Sequence, residues 1–147
     1  MAAHHLILSL PAAPTAVAVA RHQAVDAIAD WDVELDDAVV RTAELVISEL
    51  VTNSVRHTAT GQVSMDVRIV NAVLRIEVCD DSPVLPELNL PDGHSENGRG
   101  LFLVAALAER YGAEPTPAGK RCWAEIALAT APAPEIAASL PLQRSRR

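Results

Sequence analysis

Residues 62–83 read QVSMDVRIVNAVLRIEVCDDSP, and their pattern sets the architecture of the whole chain. Val63, Met65, Val67 and Ile69 fall on one side of an alternation, and Ser64, Asp66 and Arg68 on the other. Successive Cβ atoms of a strand point to opposite faces, so this is a strand with one wet face. Leu74, Ile76 and Val78 repeat the alternation beyond Asn71. Two such runs predict an antiparallel hairpin with one buried side. The alternation then stops at paired carboxylates, Asp80 and Asp81, and a turn containing Pro83.

Upstream, LILSL (6–10) is a short apolar run closed by Pro11, read as a first strand. TAVAVARHQAVDAIADW (15–31) repeats Val17, Ala20, Ala24 and Ile28 at helical spacing, with Arg21 and His22 on its wetter side. A second helix runs from about Asp37 to about His57. Downstream, DDSPVLPELNLPDGHSENGRG has early breakers and no periodicity, the mark of a lid or binding loop. LFLVAALAERYG predicts a third helix, with Leu101, Val104, Ala105, Ala108 and Tyr111 as its stripe and Gly112 as its stop. RCWAEIALA alternates as the last strand, and the Ala/Pro-rich tail is expected to be mobile. The order is strand, helix, helix, hairpin, loop, helix, strand. It predicts an α+β two-layer sandwich with helices on one face of a mostly antiparallel mixed sheet. One domain over 1–129 and a tail over 130–147 follow from the composition.

The 147 residues carry a formal charge of −7, which argues against nucleic-acid or anionic-membrane partners. No apolar run reaches the roughly 20 residues a bilayer requires. The first residues lack a basic leader region, so a cytoplasmic protein is expected. Cys79 and Cys122 lack ligand spacing and read as small core residues in a reducing compartment. The five His do not cluster with them, which argues against a metal enzyme.

The second helix holds ELVISELVTNSVRH (44–57). At about 100° per residue, with Glu49 at zero, Asn53 falls near ~40°, Arg56 near ~−20° and Thr42 near ~20°. His57 is close by. The opposite arc carries Val40, Ala43, Ile47, Leu50, Val51 and Ser54. Lys/Glu pairs would mark an ordinary solvated face; this seam has one acid and one neutral amide. A carboxylate can take a proton from a nucleophile, and an amide oxygen is a hard ligand suited to Mg²⁺. Asp80 either caps the turn that follows it or accepts a hydrogen bond from an exocyclic amine. In ENGRGLFLV, Gly98 and Gly100 flank Arg99 where a helix begins, a place where backbone amides approach an anion.

Together these motifs resemble the Bergerat-fold ATPases, in the branch of bacterial anti-sigma factors that are serine-protein kinases. SELVTNSVRH resembles the branch's Asn-containing helix and VCDDSP the start of its first glycine box. GRGLFLV resembles the second box and GKRCWAEIAL the final strand. The likeness covers roughly residues 5 to 129. It implies Glu49 as general base, Asn53 as Mg²⁺ ligand and Asp80 as reader of the adenine amino group. Gly98, Arg99, Gly100 and Leu101 would form the phosphate-facing turn, with Arg56 and His57 near the phosphates. Two features depart from the family. The first box continues as Asp81, Ser82 and Pro83 rather than with glycines, and Arg121 or Cys122 stands near the place of a Thr that helps hold adenine.

The function implied is transfer of the ATP γ-phosphate to a serine of a STAS-type anti-anti-sigma protein, with sequestration of a sigma factor. A non-catalytic nucleotide-sensing module is the alternative. A sensor histidine kinase is disfavoured, because no helix pair with a phosphoacceptor His precedes the domain. Partner binding is expected at the sheet edge or outer helices, with a homodimer favoured.

Overall fold

A computed structural model describes residues 4–58, 61–86 and 103–128. The elements are β1 (His5–Pro11), α1 (Thr15–Asp30), α2 (Asp37–His57), β2 (Gln62–Val70), β3 (Val73–Asp80), β4 (Arg110–Thr116) and β5 (Gly119–Ala127). The strands form one sheet in the order β1-β2-β3-β5-β4. Among the described residues every pairing is antiparallel, where a mixed sheet was expected. The α+β architecture is as the pattern predicts.

The hairpin joins β2 to β3 through Asn71 and Ala72, whose φ angles are 49° and 63°. Two left-handed residues give the loop the twist of the flanking strands. The register then puts Met65 opposite Val78 and Val67 opposite Ile76. Across the next pairing, Ile76 meets Ala124 and Val78 meets Cys122. These residues are all buried. Each fully buried Val, Leu or Ile contributes roughly 1.5–3 kcal/mol.

α2 closes this apolar face by packing on β2, β3 and β5, and α1 packs on α2 and β1. Ala16, Ala20 and Ala24 line the buried side of α1, where small side chains let helix backbones approach. Asp36 caps α2, its carboxylate accepting from the Ala38 amide at 3.3 Å. The opposite face of the sheet is a charge lattice. Arg75 donates to Glu77 and Glu125 at 2.7 Å each, and its guanidinium lies 4.3 Å from the Trp123 ring centre. Cys79 is on this face and half-buried, while Cys122 is in the core; both are free.

The third helix departs from expectation. Its described part is helical over 103–107, and from Arg110 the chain is strand β4. Tyr111 pairs with Ala124 and Gly112 with Trp123. Gly112 is therefore not a helix stop: a Cβ there would lie 2.9 Å from the indole. Ala106-Leu107-Ala108-Glu109-Arg110 is strongly helix-forming and Gly112 and Pro115 are poor strand residues, so local signals conceal an edge strand made by pairing with β5. The tail over 130–147 lies outside the described residues, as does most of the loop. Among the described residues no helix is long and apolar enough to cross a membrane.

Candidate functional site

The end of α2 meets the end of β3 and the start of β5. Parity explains which side chains converge there. Leu74, Ile76, Val78 and Asp80 alternate inward on β3, and Lys120, Cys122, Ala124 and Ile126 do so on β5. Asp80 and Lys120 are register partners, and both side chains are fully buried. The Lys120 ammonium donates to Asp80 Oδ1 at 2.9 Å and Oδ2 at 2.8 Å. Its third contact, at 3.4 Å, is Nδ1 of His57 in the last turn of α2.

Asp80 Oδ1 also accepts from the Ser82 amide at 2.9 Å, and Ser82 Oγ from the Val84 amide at 3.3 Å. These side-chain bonds shape the DDSP turn where the resembling family has glycines. The backbone beneath is held close. A Cβ on Gly119 would lie 2.1 Å from the Asp80 carbonyl oxygen and 2.5 Å from Asp81 Cα. Gly61, at φ 107°, would bring one to 2.9 Å from Asp81 Oδ2.

Lys120 is the residue that sequence reasoning missed. Arg121 or Cys122 is the residue expected near the place of the family's adenine-holding Thr, but Arg121 lies on the charge lattice with Glu114 and Cys122 in the core. Burial pushes the Cys122 thiol up to about 11. The signal was present: inward parity at Cys122, Ala124 and Ile126 extends back to Lys120.

On α2, Asn53 is buried, Glu49 and His57 are half-buried and Arg56 is exposed. The seam thus runs from solvent into the core within one turn. Among the described residues Asn53 Oδ1 is buried without a hydrogen-bond partner, although buried acceptors are almost always paired. A lone hard oxygen at this position fits a cation such as Mg²⁺ or a ligand donor. Burial raises the Glu49 carboxyl above its ordinary value of 4.5, partly offset by the Arg56 charge. His57 is held below 6.5, first by burial and then by Lys120, with Asp80 opposing and Arg56 adding to the depression. A neutral His57 is what an Nδ1 acceptor for Lys120 requires.

Gly98, Arg99, Gly100 and Leu101 lie outside the described residues. Glu49, Asn53, Arg56 and His57 share the C-terminal half of α2, and Asp80 joins them through Lys120 and His57. Among the described residues no group of three or more His, Cys, Asp or Glu is arranged to hold a metal ion. A family model described as a histidine kinase-like ATPase domain matches residues 10–126. No curated protein matches the chain.

Proposed function

From the premise that the chain belongs to the histidine kinase-like ATPase family, we propose that it is an ATP-dependent regulator of the anti-sigma type, a serine-protein kinase acting on an antagonist protein. Membership implies ATP binding. The observation that carries the further step is Asn53: a buried amide oxygen with no hydrogen-bond partner among the described residues, one helical turn from a half-buried carboxylate.

Asn53 would hold Mg²⁺, which when bound neutralises charge on the phosphates. Glu49 accepts the proton of a partner serine hydroxyl as its oxygen bonds to the γ-phosphorus. The bond from that phosphorus to the β-bridging oxygen breaks, and ADP leaves. A carboxyl raised above its ordinary value by burial is a stronger base for this transfer. Arg56, at the exposed end of the seam, supplies positive charge toward the phosphates. Sequestration of a sigma factor and its release by a STAS-type partner complete the proposed role, in a cytoplasmic protein that favours dimers.

The test is Mg²⁺-dependent transfer of γ-labelled phosphate from ATP to a serine of a STAS-type partner. Absence of labelling on any such partner overturns the kinase reading.

A second reading is a non-catalytic module that binds a protein partner. The buried Asp80–Lys120 pair favours it, because the carboxylate is already engaged. Calorimetry with ATP and Mg²⁺ separates the two: no binding at millimolar nucleotide supports this reading, and tight binding removes it.

A further inference from the structure

We propose that Lys120 silences Asp80 as a base-reading group, so that the site holds a purine nucleotide by its phosphates without telling a 6-amino from a 6-oxo base. This rests on the reading of the site as nucleotide-binding and concerns only its base selectivity.

A carboxylate selects an amine by offering a free lone pair. Asp80 offers little: Oδ1 accepts from Lys120 and from the Ser82 amide, and Oδ2 accepts from Lys120. The Asp80 side chain is also fully buried. Lys120 has no spare donor, since its three protons are matched by the two Asp80 oxygens and His57 Nδ1. Displacing it would leave a charge buried without its partner, which is far more costly than losing a surface pair. A neutral base amine is also a poorer partner for a carboxylate than an ammonium. The approach to the pair is fixed by backbone, because Gly119 sits against the Asp80–Asp81 peptide. Among the described residues, the groups that face the pair include His57 from α2, Ser82 from the turn and the core residue Cys122 from β5.

The experiment is calorimetric titration of the full chain with Mg–ATP and with Mg–ITP, which carries an oxygen where ATP carries the amino group. A hydrogen bond to a charged acceptor is worth roughly ten- to hundredfold in affinity. The wild-type dissociation constants are expected to differ by less than about fivefold. A larger preference for ATP overturns the proposal. In Lys120→Thr, the ATP preference is expected to rise at least about tenfold; no rise in a folded variant also overturns it. Should the wild type bind neither nucleotide, ATP binding by Lys120→Thr supports the proposal in its strongest form, with the pair closing the site. Binding by neither protein removes the nucleotide-site reading itself. Should Lys120→Thr not fold, the wild-type comparison alone still decides.

Discussion

Glu49 and Asn53 are one helical turn apart and are asked to do different things, so their substitutions should separate. Glu49→Gln keeps size and polarity and removes the base. Phosphoryl transfer is expected to fall at least about 100-fold while the nucleotide dissociation constant stays within about twofold. Single-turnover labelling and calorimetry check the pair of outcomes. The wild-type rate should rise with pH along a limb set by a carboxyl raised above 4.5, and this limb should vanish in the variant. Asn53→Ala removes an acceptor that has no partner among the described residues, so folding should lose under about 1 kcal/mol by denaturant titration. Mg²⁺-dependent nucleotide affinity should drop about tenfold or more. Both residues were legible from the 100° step along α2. Lys120 was hidden for another reason: a lysine beginning a strand reads as solvated until its register partner is known to be a buried acid.

The elements differ in how openly the sequence displays them. α2 and the hairpin were readable because long apolar periodicity dominates both. β4 was not, since its strand character comes from pairing with β5 and not from its own residues. The hairpin loop carries a local conflict: Ala72 adopts φ 63°, a conformation that costs a residue with a Cβ about 1–2 kcal/mol. Ala72→Gly should therefore raise stability by about 1 kcal/mol, seen as a higher denaturant midpoint at unchanged slope. Gly119 gives the opposite result. A Cβ 2.1 Å from a carbonyl oxygen must push the β5 start away from the Asp80–Asp81 turn. Gly119→Ala should cost about 2–3 kcal/mol in the same assay.

Across the whole molecule, His57 links the site to folding. The unfolded chain takes a proton on this ring near 6.5, and the folded chain resists it. Below that pH the unfolded state binds more protons, so stability should fall as pH drops from about 8 toward 5.5. Thermal unfolding of His57→Gln against wild type checks the sign, and the variant should show a flatter dependence. The composition and order of elements disclosed two layers and one core. They did not disclose that β5 lies between β3 and β4, because any strand with an apolar face can in principle pair beside β3. That placement has a dynamic consequence. β3 is the middle strand, hydrogen-bonded along both sides and covered by α2. Its amides should exchange with deuterium only when the domain opens globally, whereas β1 and β4, each paired on one side among the described residues, should exchange through smaller fluctuations. Asp80 terminates β3, so the site's acid is fastened to the slowest-exchanging part of the molecule.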